Sequence, residues 1–569
     1  MRFLCCLFVA PLFGQYLPNV QFSNLAATRD GAVLYFSSPL SLRGDNEFPN
    51  QKVFRIDAAG IHLVAQFEQG PSEGRYASNF YNAIEPDVSA DGKVFSFVAQ
   101  RTCSGGSGCV FVERYQSHIT GAGPEVVYTG RTHLSRNGRY ALRYGATGIQ
   151  FSNDPVPALI DLATGERTAV GAAIPEGRQV ASDGTVVTIS FSVARALALW
   201  KPGRSLPLPA PLDHVERAVL SDNAAVVAVE KPGAGGSHLL VLYEVASAAY
   251  TNLEGSGVSL SDDGHFACYL SGGEAYLYDR TMGSGRQLND VPDLVGEAVI
   301  SGDGGTVWET TLSGRILRVD VASGKTQEVV PRTPLITEID GAPVPGSLNW
   351  LYGSGLHDGS VSASLPLPEF LAGQAVLLDS APAKMLQLTP NVILYQIPFE
   401  TPEGSVSLRL ASNASPFESP PHTLQLVPYS PQPVTTGPTS VEPVIANRDF
   451  SALIDDTNPA RPGDIVHVYF TGLGAVSPSL ASGVAPLPGQ VFPVVHTPSC
   501  VYYQSPGVTA PAELLYATIP PSLVGIYQVD IRLPLSVSGL SNNPSDTDVG
   551  FDCDGSGFFI PMNFSGSIR

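Results

Sequence analysis

A single turn phrase, repeated seven times, constrains this chain more than any other feature. A small or polar residue, then Asp-Gly or a close relative, then a short apolar strand occurs at Arg29-Asp30-Gly31, Ala90-Asp91-Gly92, Arg136-Asn137-Gly138 and Ser182-Asp183-Gly184. It returns at Ser221-Asp222-Asn223, Asp262-Asp263-Gly264 and Gly302-Asp303-Gly304. Successive steps of 61, 46, 46, 39, 41 and 40 residues match one four-stranded propeller blade. Asp-Gly supplies the positive φ angles of a tight hairpin at little steric cost. The fifth copy departs, with Asn223 standing where Gly is expected.

A second phrase interleaves with the first: a strand ending in an apolar residue and often Asp, then a Gly-containing turn, then another strand. Its clearest copies are Leu159-Ile160-Asp161, Leu277-Tyr278-Asp279 and Val319-Asp320. Weaker copies follow Ile56-Asp57, Glu113-Arg114-Tyr115, Trp200-Lys201 and Tyr243-Glu244. Strand segments such as Val94-Phe95-Ser96-Phe97-Val98 are β-branched and aromatic enough to pack on both faces. One blade cannot bury both faces alone, whereas radial stacking buries them and ring closure protects the edges. These turns resemble the repeats of TolB-like periplasmic proteins and the propellers of prolyl oligopeptidases, over roughly residues 20–335. The resemblance implies a seven-bladed β-propeller and carries no activity with it. Whether the strand before Asp30 belongs to the first blade or completes the last is left open.

Beyond about residue 335 the texture changes. Pro331, Pro334, Pro343 and Pro345 suggest a linker, and two segments then echo each other. Pro382-Ala383-Lys384-Met385-Leu386 leads to Leu394-Tyr395-Gln396-Ile397, and Pro511-Ala512-Glu513-Leu514-Leu515 leads to Ile526-Tyr527-Gln528-Val529. Short alternating strands with Pro/Gly turns indicate two immunoglobulin-like β-sandwiches. Pro459-Ala460-Arg461-Pro462-Gly463-Asp464 and Tyr469-Phe470-Thr471-Gly472-Leu473-Gly474 resemble an uncharacterised C-terminal domain of secreted acidobacterial proteins, over about 340–569. The expected organisation is all-β: a signal peptide at 1–14, a seven-bladed β-propeller at 15–335, and sandwiches at 336–430 and 431–569.

Met1-Arg2 and the apolar segment Phe3–Phe13 read as a signal peptide cleaved near Gly14-Gln15, too short to span a bilayer. The alternative is a first strand that begins early. Cys5 and Cys6 lie too near the start for a lipoprotein box. No later segment resembles a transmembrane helix, so an exported protein is expected: extracellular, periplasmic or cell-surface, and a monomer. Net charge is −20 without an offsetting basic stripe, which excludes nucleic acid as a natural partner.

Cys103 and Cys109 flank Ser-Gly-Gly-Ser-Gly and are placed to close a small disulfide loop, while Cys500 and Cys553 are placed to bridge the C-terminal region. Spacing leaves the connectivity open. Cys268 is then unpaired and buried. The loop carrying Asp546, Asp548, Asp552 and Asp554 could direct hard oxygen ligands at calcium; its other reading is a solvated acidic loop tied down by Cys553. Its register is wrong for an EF-hand. No other cofactor is expected.

Catalytic motifs are missing. There is no Gly-x-Ser-x-Gly elbow in a strand-to-helix context, and Gly353-Ser354-Gly355 reads as a loop fragment. Histidines 62, 118, 133, 214, 238, 265, 357, 422, 467 and 496 are scattered, although His133 and His265 lie near the turns. Two functions remain. One is a binding or scaffold protein presenting propeller loops to a protein, peptide or glycan. The other is an extracellular polysaccharide lyase or hydrolase with its site in the propeller channel. They are separated by whether titratable residues from several blades meet in one pocket.

Overall fold

The computed structural model describes residues 21–563 apart from 44–49, 68–78, 104–113, 122–124, 145–156, 191–195, 210–211, 213, 234–236, 289–290, 436–441, 506–507 and 537–547. Every strand-forming segment is antiparallel to its ladder neighbours, and no α-helix occurs among these residues. No helix is therefore long and apolar enough to cross a membrane among the described residues. The signal-peptide segment and its cysteines lie outside them. The chain divides into two compact units. One comprises Val20–Thr333 with Ser415–Pro420; the other holds most of the remainder from Pro334 onward.

In the first unit, seven small sheets follow one another in chain order among the described residues. The first contains Ser23–Ala27, Leu34–Ser38, Lys52–Asp57 and Gly60–Ala65; the seventh contains Val295–Ile300, Thr306–Thr311, Ile316–Asp320 and Thr326–Val330. Each sheet therefore takes its strands from one local stretch, and Ser23–Ala27 pairs with Leu34–Ser38 rather than completing the last sheet. The fourth has three strands, Val186–Ile189, Leu197–Lys201 and Arg204–Pro207. Its innermost segment makes isolated bridges, Ala173 to Ile189, Glu176 to Arg217 and Val180 to Val186. Pro175 there has no N–H to donate to a ladder. Gly177, at φ +101°, passes so close to the fifth sheet that a Cβ would meet the Ala218 carbonyl at 2.6 Å.

Apolar clusters join neighbouring sheets in sequence. Ala26, Tyr35 and Val53 of the first pack with Ala83, Val88 and Phe95 of the second. Val219 and Val226 of the fifth pack with Val258 and Ala267 of the sixth, and Cys268 lies buried between the sixth and seventh. Each sheet thus covers only its neighbours' faces, as expected for stacked repeats. Ser415–Pro420 joins this unit although it follows Gly404–Ser412, a strand outside it: Phe417 is fully buried among Phe22, Phe36 and Phe54.

The turn phrase has a more detailed anatomy than its Asp-Gly core. In six copies a Ser or Thr two residues before the Asp or Asn donates its hydroxyl to that side chain at 2.7–2.8 Å. The same carboxylate or amide oxygen accepts the N–H two residues on, at 2.9–3.1 Å. The fifth copy is therefore one residue out of the register expected from sequence. Asn223 occupies the Asp position, bonded by Ser221, and Ala224 occupies the Gly position at φ +55°. Aligned on the Asp or Asn, the last three steps become 40 residues each.

In the second unit, two sheets share each of two cores. Leu351, Met385, Ile393 and Tyr395 face Val376, Val406 and Leu408 in one; Val468, Tyr527 and Val529 face Val549, Phe551 and Ile560 in the other. The proline-rich stretch is no open linker, because Leu335–Gly341 forms a strand of the first core. Gly353-Ser354 likewise ends the strand Leu348–Ser354 rather than lying in a loop. The two echoing segments are equivalent hairpins: Lys384–Leu388 pairs with Val392–Gln396, and Glu513–Thr518 with Tyr527–Arg532. Both carry a register shift after the first pairs, at Met385/Gln387 and Leu514/Tyr516, and both bury a tyrosine completely. In the Phe470–Gly474 segment, Gly472 and Gly474 have φ +79° and +76°, where a Cβ would strike the Ser430 and Pro428 carbonyls.

Candidate functional site

The residue between the Ser/Thr and the Asp/Asn of each turn stands at the centre of the first unit. Hydrogen bonds, all but one of them backbone to backbone, link these turns from sheet to sheet. Arg29 N–H donates to the Ala90 carbonyl at 2.9 Å and Ala90 N–H to that of Arg136. The Asn137 side chain reaches the Ser182 carbonyl at 2.8 Å, and Ser182 N–H that of Asp222 at 3.1 Å. Asn223 N–H donates to Asp262, Asp262 to Gly302, and Asp303 back to Arg29 at 2.8 Å. The last bond returns the series to its first turn, so the seven turns form one hydrogen-bonded ring. Trp308 Nε1 donates across the same junction to the Gly31 carbonyl at 3.1 Å.

Inside this ring lies a cavity of about 330 Å³ lined by Arg136, Arg178, Arg217, Asp222, Asp262 and Glu297, with Leu25, Val219 and Ser259 between them. Backbone irregularities aim groups into it. The innermost strands of the first, second, sixth and seventh sheets all shift register, at Ser23/Ala26, Ile84/Asp87, Ser256/Ser259 and Val295/Glu297. Asn24 and Glu85 sit in these bulges at φ +56° and +50°, a conformation costly for non-glycine residues and typical of sites where a bulge redirects a side chain. The first bulge turns two N–H groups onto Glu297, whose carboxylate accepts from Asn24 at 2.7 Å and Leu25 at 2.9 Å.

The charges divide into linked pairs. Arg136 donates through Nε to Asp262 at 2.8 Å, and Arg29 approaches the other oxygen of Asp262 at 3.7 Å. Burial, with Arg178 nearby, lowers the Arg136 pKa against the pull of Asp262. Asp222 accepts the Ser182 hydroxyl on both oxygens, at 2.6 and 2.7 Å. Burial raises its pKa, and the neighbouring Asp262 adds to the rise. Glu297 is likewise raised by burial, in spite of its two backbone donors and Arg217. Arg217 pairs with Glu230 at 3.3 Å, and Glu230 also holds Val258 N–H at 2.7 Å.

Asp87, on the second sheet, is the anchor behind Arg178. Burial alone would raise it, but Arg178, His133 and the Leu134 N–H together hold it well below the ordinary carboxylate range. His133 Nδ1 lies 3.6 Å from Asp87, and its Nε2 is 2.7 Å from the Tyr144 hydroxyl, with the two rings stacked. Burial pushes the Tyr144 phenol up. Arg131, above the Tyr115 ring at 4.3 Å, bonds its hydroxyl at 3.0 Å and pairs with Glu85 at 3.3 Å.

Of the residues singled out by sequence, the structure brings His133 to this centre; His265 instead pairs with Asp279 at 3.0 Å at a turn. Cys500 and Cys553 face each other on paired strands with sulfurs 2.08 Å apart. Cys103 ends the strand Phe95–Cys103, but its side chain and Cys109 lie outside the described residues, as does Asp546. Asp548 and Asp552 share a strand, while Asp554 accepts from the Tyr429 hydroxyl at 2.7 Å and Ser499 N–H at 3.0 Å. No group of three or more His, Cys, Asp or Glu is arranged to hold a metal among the described residues. Arg178, Arg217, Asp87 and Glu297 were not foreseen. For all but Arg178 a signal was present: charged residues recur two or four positions before the turn's Ser or Thr, at Glu85, Asp87, Arg131, His133, Arg217 and Glu297.

The sequence matches no protein-family model and no curated protein. Among solved structures it is similar to an oligogalacturonate lyase from Vibrio parahaemolyticus, at 12% identity and TM-score 0.35 over 52% of this chain and 86% of that one. It is similar to TolB from Acinetobacter baumannii at 12% identity and TM-score 0.32, over 53% of this chain and 64% of that one. A third is the β-propeller domain of the Trilobed protease from Pyrococcus furiosus, at 11% identity and TM-score 0.37, over 55% of this chain and 98% of that one.

Proposed function

We propose that this chain is an exported binding protein, in which a closed seven-bladed β-propeller receives its ligand at the central cavity and two immunoglobulin-like sandwiches serve as spacers or surface attachment. The observation that carries the reading is the convergence of Arg136, Arg178, Arg217, Asp222, Asp262 and Glu297, from different sheets, on one cavity. Pockets with a few convergent polar groups and perturbed pKa values are the default ligand sites of a fold. Here both signs of charge line the wall. Arginines suit a carboxylate and the carboxylates suit an ammonium, so a short peptide or a peptide terminus fits better than a uniformly charged polymer. Each carboxylate already accepts a donor from the protein, which orients it for recognition.

A polysaccharide lyase or hydrolase is the second reading, and one arrangement favours it: the Tyr144 hydroxyl meets His133, and His133 faces Asp87 beside Arg178. With its phenol raised by burial, Tyr144 would act as an acid at neutral pH rather than as a base. Peptide and glycan arrays probed with the mature chain, with mass spectrometry of any bound probe, separate the two. Intact peptide recovered from the Arg217-containing chain and lost from Arg217→Ala supports binding. A cleaved glycan, abolished by Tyr144→Phe, replaces it with catalysis.

A further inference from the structure

The C-terminal sheet presents a second feature, independent of the propeller cavity. Its strands run in the order Val508–Pro511, Cys500–Ser505, Asp548–Cys553, Ser556–Pro561. One face carries Tyr502, Val549, Phe551, Phe558 and Ile560 into the core. Alternation puts Tyr503, Asp548, Gly550, Asp552 and Phe559 on the other. Phe559 is 63% exposed and Tyr503 43%, so both rings are open on this face. They stand on either side of Gly550: a Cβ there would lie 3.1 Å from the Tyr503 ring and 3.4 Å from that of Phe559. The missing side chain thus leaves an apolar strip, continuous across three strands, with no bump between the rings. Gly550 pairs with Phe559 in the ladder, so the absent atom belongs to the strip itself.

Two carboxylates flank this strip on the same strand. Asp552 uses Oδ1 to accept Gly555 N–H at 2.8 Å, and Asp548 is exposed. We infer that this face is a platform for a neutral polysaccharide chain. The C–H face of a sugar ring is apolar and stacks on an aromatic face, while its rim hydroxyls donate strong hydrogen bonds to carboxylates. The charges disfavour polyanions: two aspartates, on a chain of net charge −20, repel polyuronates, nucleic acid and anionic lipid alike. A platform of this kind would hold the secreted chain on a glycan matrix and leave the propeller cavity free.

The test uses the mature full-length chain with cellulose, chitin and β-1,3-glucan as pelleting probes, and their soluble oligosaccharides in a tyrosine-fluorescence titration that needs no variant. Retention on at least one polymer is expected, with matching saturable quenching. Tyr503→Ala and Phe559→Ala should each weaken it roughly tenfold, the factor that one stacked ring of about 1.4 kcal/mol provides. Gly550→Val should abolish it while keeping both aromatics, and Arg217→Ala should leave it unchanged, which separates this site from the propeller cavity. Failure to bind any of the three polymers, or binding undiminished in the Tyr503, Phe559 and Gly550 variants, overturns the inference. So does conversion of a dimer to a monomer by Phe559→Ala, which would assign the face to a second copy of the chain.

Discussion

At the scale of single residues, the centre of the first unit depends on charges that cannot be removed one at a time. The Asp87 side chain is 5% exposed and is held by Arg178, His133 and two backbone N–H groups. Asp87→Asn strands Arg178 and is expected to cost about 3–5 kcal/mol, read from denaturant midpoints at neutral pH. Because its folded pKa is depressed, this contribution is present above the ordinary carboxylate value of 3.8 and is lost as pH falls through the folded one. His467 in the second unit behaves in the opposite sense. Burial works against its charge, but Asp530 at 2.6 Å and the Arg448 carbonyl at 3.0 Å outweigh it and raise its pKa. Its contribution is then complete below the ordinary value of 6.5 and disappears as pH rises through the raised one. Melting of the second unit should decline with pH from about 6.5 upward in the native chain and lose that decline in His467→Gln.

At the scale of elements, the turns are small machines with two parts. Asp-Gly gives the bend, and the Ser or Thr two residues earlier ties the loop across at both ends. Ala224, at φ +55°, is the one member of the series without glycine at that position. Ala224→Gly is expected to stabilise the protein by about 1 kcal/mol, since a left-handed non-glycine residue costs roughly that much. A thermal melt measures it; unchanged or reduced stability would mean that the backbone has already relaxed there. The turns were legible in sequence because the bend requires glycine and a short polar side chain, whatever surrounds them. The register of the fifth copy was not, because Asp222-Asn223 offers two residues that can each begin an Asx turn, and only the Ser221 hydroxyl decides between them. The irregular inner edge of the fourth sheet also escaped, although Pro175 and Gly177 mark it.

At the scale of the whole molecule, the all-β character and the repeating order of small sheets followed from turn spacing, which depends only on local chemistry. The site did not follow, because its members lie far apart in sequence, Leu25 and Glu297 by 272 residues, and meet only when the seven turns are joined in a ring. Arg136 and Asp262 illustrate this: each is an unremarkable turn residue in sequence, and together they form a buried ion pair across the centre. Glu297 follows a register shift of its own strand and is met by the Asn24 and Leu25 N–H groups of a second bulge, a meeting that spacing along one strand does not announce.

The most direct measurement is hydrogen-exchange mass spectrometry on the mature chain with and without a peptide recovered from the array. Ligand in the central cavity should slow exchange in 215–220 and 295–300, the innermost strands bearing Arg217 and Glu297, and Arg217→Ala should erase that protection. Protection confined to the second unit, or unchanged in Arg217→Ala, would contradict a binding site at the propeller's centre.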